Sequence, residues 1–214
     1  MHDYQTAFLQ LAIEHGVLRF GEFTLKSGRV SPYFFNLGAI SSGAALAKLG
    51  AAYAATLSTS GIEFDMLFGP AYKGIPLVTA TALAFAARGR DVPFAYNRKE
   101  AKDHGEGGVL VGAPPAGRVV IVDDVLTAGT ALREAIGLLR RAGAEPVAAV
   151  IALDRQEVGP AGISAVAQLE REAGLRVLPL VNVRELLAHL EDSHFAAQTT
   201  AAIRDYQARY CVTT

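Results

Sequence analysis

The residues best suited to chemistry lie in the run Val119-Val120-Ile121-Val122-Asp123-Asp124-Val125-Leu126-Thr127-Ala128-Gly129-Thr130-Ala131. Val119 to Val122 is continuously apolar and reads as a strand buried on both faces. That strand delivers two adjacent carboxylates at its C-terminal end. The small-residue turn Thr127 to Thr130 follows and opens a helix. In open parallel sheets, ligands bind at the carboxyl ends of strands. The turn offers backbone N–H groups and two hydroxyls at a helix N-terminus, which suits a phosphate monoester. The carboxylates suit sugar hydroxyls, or a hard cation held through water. A phosphate socket and a polyol clamp on one strand-turn-helix unit match a ribose 5-phosphate. The plainer alternative makes Asp123 and Asp124 turn residues leading into the helix. Successive strand side chains point to opposite faces, so a ligand on one face meets one of the two.

Other segments carry weaker signals. Lys73 stands where a strand meets a helix, between Gly69 and Gly74 on either side of the turn. Close backbone approach plus one ammonium suits a pyrophosphate oxygen; otherwise Lys73 is a solvated turn residue. Residues 97–117 mix charge with glycine and read as a long loop, a feature that is functional or disordered inside a compact domain. Arg98, Lys99 and Lys102 oppose Glu100, Asp103 and Glu106 there, so their formal charges cancel. The loop is either a solvated face or a lid that brings Lys99, Lys102 and His104 to a leaving group. Phe34 and Phe35 are adjacent, so on a strand one faces the core and the other does not. Arg155 follows a buried strand and can fork onto a carboxylate. His2, His15, His189 and His194 show no metal-ligand spacing and read as surface residues.

The elements that must position these groups follow from periodicity and breakers. Residues 3–15 have helical spacing and stop at Gly16. Residues 17–20, 23–25 and 33–35 read as three short strands separated by Gly21, Gly28 and Pro32. Residues 42–58 are helical, with Ser41 or Ser42 as the cap. Strand and helix then alternate: strand 64–68, helix 73–87, strand 93–96, strand 119–122, helix 131–141, strand 147–153, helix 163–173, strand 175–181, and helix over about 183–210. This alternation predicts an α/β fold, a mostly parallel central sheet with helices on both faces. The first 37 residues fall outside it and read as a small N-terminal hood. The expected organisation is a single domain over 1–214: helix and hood strands in 1–37, an α/β core in 38–214, and a mobile loop at about 97–110.

Composition excludes several classes. The chain has 214 residues, 51% apolar and 19% charged, which is incompatible with disorder. Twenty Lys and Arg against twenty-one Asp and Glu give a net charge of −1, without the basic excess of a general nucleic-acid binder. The single cysteine, Cys211, allows no internal disulfide and no cysteine zinc cage. The apolar run 74–87 is too short for the roughly 20 residues of a membrane span, and the first residues lack a signal peptide's basic region. These features predict a cytoplasmic protein that engages neither nucleic acid nor membrane. P-loop, dinucleotide-binding and zinc-protease signatures are absent from the sequence.

The 119–131 run resembles the phosphoribosyl pyrophosphate signature of type I phosphoribosyltransferases. Three further segments resemble the orotate phosphoribosyltransferase family. They are Phe23 to Arg29 followed by Ser31 to Asn36, Gly69 to Pro76, and Asn97 to Gly105; the late Asp154-Arg155 joins them in the family's order. The resemblance implies a type I phosphoribosyltransferase fold and transfer of a 5-phosphoribosyl group from 5-phospho-α-D-ribose 1-diphosphate (PRPP) to orotate, a step in UMP synthesis. It implies catalytic roles for Lys73, Lys99, Lys102, His104, Asp123 and Asp124. Donor contacts would come from Lys26, Tyr72, Lys73, Arg98, Lys99, Lys102, His104, Asp123, Asp124 and residues 125–131 (Val125, Leu126, Thr127, Ala128, Gly129, Thr130, Ala131). Orotate contacts would come from Lys26, Phe34, Phe35, Thr127 and Arg155. It also implies Mg²⁺ bound through substrate and water near Asp123 and Asp124, with no direct side-chain ligand. The implied assembly is a homodimer whose loop sends Lys99, Lys102 and His104 into the neighbouring site. Transfer to another nucleobase, and a non-catalytic PRPP-sensing regulator, are the other readings. A decarboxylase fusion is not expected, because 214 residues leave no room for a further barrel of about 250 residues.

Overall fold

Strands β3 (Met66–Gly69), β4 (Phe94–Lys102), β5 (Gly108–Gly112), β6 (Arg118–Val122), β7 (Glu145–Asp154) and β8 (Arg176–Asn182) form one sheet in the order β5-β4-β3-β6-β7-β8. All neighbours are parallel except β4 and β5. This computed structural model describes residues 1–25, 27–102, 108–126 and 129–212, with the side chains of residues 101 and 102 left aside.

Apolar runs in β6 and β7 divide the interior into two cores. Val120, Val122, Ala148 and Val150 face one of them, shared with Leu49 and Tyr53 of α2 (Gly43–Thr59) and Val78 of α3 (Gly74–Ala86). Helices α1 (Asp3–Glu14), α6 (Val183–Asp192) and α7 (Ala197–Tyr210) contribute to the same side. Val119, Ile121, Ala149 and Ile151 face the other core, packed by Leu132 and Leu139 of α4 (Thr130–Arg141) and Leu169 of α5 (Ala165–Ala173). A strand covered on both faces has no polar side to present, which is why these segments lack alternation. Helix α2 starts at Ser42, whose hydroxyl accepts from the Ala45 N–H at 3.2 Å. Among the described residues no helix is long and apolar enough to cross a membrane.

Two expectations about the strands need correction, and His189, read as a surface residue, is buried in α6. The hood has two strands, not three: β1 (Leu18–Thr24) and β2 (Val30–Phe35) pair antiparallel. Gly21 does not end a strand. It sits at φ 149° inside an irregularity between Phe20 and Phe23, a conformation open to glycine. Pro32 lies within β2, which a two-stranded ribbon tolerates because its outer edge needs no donor. The second correction concerns 97–117, read as a loop. Residues 97–102 continue β4 and residues 108–112 form β5, with Asn97 opposite Leu110 and Lys102 opposite Gly108. Their polar sequence hides a ribbon held by backbone hydrogen bonds rather than by a buried face. Residues 103–107, which include His104, lie outside the described residues.

Helices α2 and α3 cross at a glycine. A Cβ on Gly50 would stand 2.4 Å from the Ala80 carbonyl oxygen. Gly50→Ala must therefore separate the helices, and overpacking of this kind costs about 1–3 kcal/mol. Its melting temperature should fall by roughly 3–10 °C. An unchanged melting temperature in a thermal scan would contradict the tight crossing.

Candidate active site

The chain runs from β3 outward to β4 and β5, then crosses back to β6 beside β3 and outward again to β7 and β8. The β3–β6 junction is thus the point where strand order reverses, the place where open α/β sheets bind ligands. Both sequence-predicted loops rise there, Gly69 to Gly74 after β3 and Asp123 to Thr130 after β6.

Backbone pairing with β7 continues past the end of β6. The Asp123 N–H donates to the Val150 carbonyl at 3.0 Å, and the Ala152 N–H donates to the Asp124 carbonyl at 2.7 Å. The strand-like backbone sends the two carboxylates to different surroundings. Asp123 is buried, and its Oδ1 accepts from the Asp124 N–H at 2.9 Å. Its carbonyl accepts from the Tyr53 hydroxyl of α2 at 2.8 Å. Asp124 turns to Lys73, whose Nζ donates to Oδ2 at 2.5 Å. Burial, and next the Asp124 charge, push the Asp123 carboxyl up to about 7, while the Asp124 N–H and Lys73 oppose them. Near neutral pH this group can both donate and accept hydrogen bonds, as a sugar hydroxyl requires.

Glycines bring Lys73 to that position. A Cβ on Gly69 would lie 2.2 Å from the Gly74 carbonyl oxygen, and one on Gly74 would lie 2.5 Å from Pro70 Cδ and 2.9 Å from the Val122 carbonyl oxygen. The turn therefore packs backbone to backbone against the end of β6, at a distance no side chain allows. The Ala71 N–H donates to Asn97 Oδ1 at 3.0 Å, and the Lys99 ammonium stands 4.9 Å from the ring centroid of the exposed Tyr72. The β4 arm thus touches the Lys73 turn of its own chain.

On the other side, Gly129 caps α4 with φ 74°, and Thr130 begins the helix. A cavity of about 240 Å³ is lined by Asp123, Val125, Leu126, Gly129, Thr130 and Ala131. One hollow therefore joins the buried carboxyl to a helix N-terminus, where N–H groups and the helix dipole favour an anion. Thr127 and Ala128, between them, lie outside the described residues, as does Lys26.

The hood residues make their contacts elsewhere. Phe34 lies opposite Arg19 on β1, with its ring centroid 5.5 Å from that of Phe23 and 5.2 Å from the Arg19 guanidinium. Phe35 packs against the core, 6.4 Å from Phe8, so the two aromatics divide between faces. Arg155 is nearly buried: its Nε donates to Glu157 Oε1 at 2.7 Å, its Nη2 donates to Ser31 Oγ at 3.0 Å, and it lies 4.2 Å from the Tyr33 ring centroid. Arg98 is half-buried on β4. A larger cavity, about 560 Å³, opens between the hood and α7 beside Pro32, Gln198 and Arg209, away from the carboxylates. It holds none of the strand-end chemistry. Sequence reasoning missed Tyr53, Ser31 and Glu157. Tyr53 and Ser31 are remote in sequence from what they hold; only the Arg155-x-Glu157 spacing offered a local hint.

The raised Asp123 carboxyl has a stability consequence. Its folded pKa lies above the ordinary carboxylate value of 3.8, so its stabilising contribution is complete below about pH 4 and is lost as pH rises through about 7. Asp123→Asn cannot ionise and keeps the Oδ1 acceptor. At pH 8 it should be more stable than the parent by up to a few kcal/mol, at about 1.4 kcal/mol per pKa unit. The difference should close toward pH 4. Denaturant titrations at pH 4, 6 and 8 measure it, and a variant weaker than the parent at pH 8 would contradict the buried carboxyl.

A family model described as "Phosphoribosyl transferase domain" matches residues 36–161. The orotate phosphoribosyltransferase of Cellvibrio japonicus is 54% identical over 213 residues, covering 99% of either chain. That of Pseudomonas aeruginosa is 54% identical over 211 residues, covering 98% of this chain and 99% of its own. The crystal structure of the Francisella tularensis orotate phosphoribosyltransferase superimposes with a TM-score of 0.87 at 38% identity, over 96% of this chain and 100% of that one. With the Asp123-Asp124 strand end, the Lys73 turn and the hood all in place along a full-length match, the chain belongs to the phosphoribosyltransferase family and, within it, to the orotate phosphoribosyltransferases.

Proposed function

We propose that the chain transfers the 5-phosphoribosyl group of PRPP to orotate, giving orotidine 5′-phosphate and diphosphate in UMP synthesis. One observation carries this most directly. Around the end of β6 stand a helix N-terminus, the two carboxyl groups of Asp123 and Asp124, and the Lys73 ammonium, complementary in turn to a phosphate, a ribose and a diphosphate.

In the reaction the C1–oxygen bond to diphosphate breaks while a C1–nitrogen bond to the base forms, and the proton of the base nitrogen passes to the departing diphosphate or to solvent. The N–H groups of Gly129, Thr130 and Ala131 hold the 5-phosphate. Asp123 and Asp124 hold the ribose hydroxyls and balance the cationic character of the ring. Lys73 rests on Asp124 in the free protein. Arrival of the diphosphate gives Lys73 a second anionic partner and releases Asp124 toward the ribose. Lys26, Tyr72, Arg98 and Lys99 complete the diphosphate side. Phe34 and Arg155 face the base, the first as an aromatic platform and the second as partner of its carboxylate. Phe35, packed on the core, supports the platform from behind.

No group of three or more His, Cys, Asp or Glu stands among the described residues to hold a metal directly. The two carboxylates, one buried and one tied to Lys73, fit a cation held by substrate oxygens and reached from Asp123 and Asp124 through water. Bound Mg²⁺ would neutralise charge on the diphosphate.

We further propose a homodimer in which Lys102 and His104 enter the neighbour's site. Lys99 stays on its own Tyr72.

Absorbance of orotate with PRPP and Mg²⁺ tests the main reading: the orotate band should shift with protein and not without it, and purines should not replace orotate. No turnover, or full turnover in excess chelator, would overturn the corresponding part. Asp124→Asn should stay folded while its rate falls by about 10²–10³, the loss typical of removing one group that stabilises developing charge. The dimer has its own test. Lys102→Ala and Asp124→Ala are each expected to be nearly inactive. In a mixed dimer one site is normal and the other carries both lesions. With free exchange half the dimers are mixed, so about a quarter of parental activity should return. No recovery, with exchange shown by mass measurement, would mean that the loop serves its own chain.

A further inference from the structure

We propose that Glu157 is a positioning residue for the base: it holds the Arg155 guanidinium in place and so sets affinity for orotate. This rests on Arg155 as the partner of the orotate carboxylate.

Glu157 stands at a junction of three chain segments. Its Oε1 accepts from Arg155 Nε at 2.7 Å and from the Tyr206 hydroxyl of α7 at 2.7 Å. Its Oε2 lies 3.6 Å from Nη1 of Arg29, the hood residue at the start of β2's approach. Arg29 is itself fixed, donating from Nη2 to the Val158 carbonyl at 2.9 Å. On the far edge of Arg155, Ser31 Oγ donates to the Tyr33 carbonyl at 2.8 Å, which leaves its lone pairs for Arg155 Nη2 at 3.0 Å. The Tyr33 ring supports the guanidinium face. The backbone is clamped as well. The Val158 N–H donates to the Tyr210 carbonyl at 2.7 Å, and the Val212 N–H donates to the Gln156 carbonyl at 2.9 Å.

Two features separate positioning from simple packing. An arginine loses considerable rotamer freedom on binding a ligand, and a side chain immobilised beforehand avoids that loss. Here Nε is committed to Glu157 and one Nη2 hydrogen to Ser31, which fixes the guanidinium plane and leaves the Nη1–Nη2 edge as the oriented fork for a planar carboxylate. The charges also leave a surplus: Arg29 and Arg155 against Glu157 sum to +1, which suits a monoanionic base. Glu157 orients the guanidinium without cancelling it.

The test is steady-state kinetics with orotate varied at saturating PRPP, then PRPP varied at saturating orotate. Glu157→Ala should raise the orotate KM by about three- to tenfold, the range expected for freeing one rotamer-rich side chain. The PRPP KM and kcat should stay within about twofold, since neither depends on an immobilised Arg155. Glu157→Gln keeps an Oε1 acceptor and should restore the orotate KM to within about twofold of the parent. A merely structural role predicts that orotate KM, PRPP KM and kcat worsen together, or that Gln fails to rescue; either result overturns the proposal. An unchanged orotate KM in Glu157→Ala overturns it too. Should Glu157→Ala fail to fold, Tyr206→Phe decides by the same pattern at smaller amplitude, and an unchanged orotate KM there overturns it. If the parent itself does not use orotate, it is the proposed reaction that fails, a result separate from all of these.

Discussion

Backbone contact of Gly69 with Gly74, and of Gly74 with the last carbonyl of β6, governs the geometry of the candidate site. With Cβ atoms excluded at Gly69 and Gly74, the turn after β3 lies directly on the last carbonyl of β6. Parallel neighbours place their C-terminal ends on the same edge of a sheet, but they do not by themselves bring loop to loop. The missing side chains do that, and Lys73 meets Asp124 as a result. A methyl group at either glycine would push the lysine away from the carboxylate it neutralises. The reversal of strand order between β3 and β6 supplies the hollow into which both loops project.

Electrostatics explains why the two acids are not equivalent. Asp123 is surrounded by protein and faces a second negative charge, so ionisation is resisted and the carboxyl titrates at about 7. Asp124 has a cation against it and shows partial access to solvent. One strand end thus offers a hydrogen-bonding acid that exchanges its proton near neutral pH and a paired anion. Two identical side chains acquire different chemistry from position alone. Tyr53 adds to the asymmetry by anchoring the Asp123 backbone from α2.

What could be read from sequence was what is local in sequence. The apolar run Val119 to Val122, the acids and the Gly129-Thr130 turn lie within 13 residues, and their order maps onto strand, turn and helix. The alternation of strands and helices predicted the parallel core for the same reason. The β4–β5 ribbon was hidden because Asn97 to Lys102 shows no hydrophobic period; its order comes from pairing with Gly108 to Gly112 across a connection. The hood strands were cut too short because Gly21 and Pro32 act as breakers in isolation but are absorbed by a bulge and an edge. Partnerships such as Tyr53 with Asp123 or Arg155 with Ser31 join residues 70 and 124 positions apart, and no local pattern encodes them.

In the proposed reaction the same separation divides the molecule by role. The groups proposed for the donor side stand on the central sheet: Lys73 after β3, Asp123 and Asp124 after β6, and the start of α4. The groups proposed for the base side belong to the β1–β2 hood and the segment after β7, which is tied to α7 through Glu157 and Tyr206. The donor half is constrained by backbone approach, which tolerates no side chain at Gly69 or Gly74. The base half is constrained by side-chain hydrogen bonds, which can be rewired one residue at a time. In the proposed reading the hood is not independent of the donor side, because Lys26 serves both; on the sheet, a displaced β3 turn would shift Lys73 and the Asn97 contact to Ala71 together.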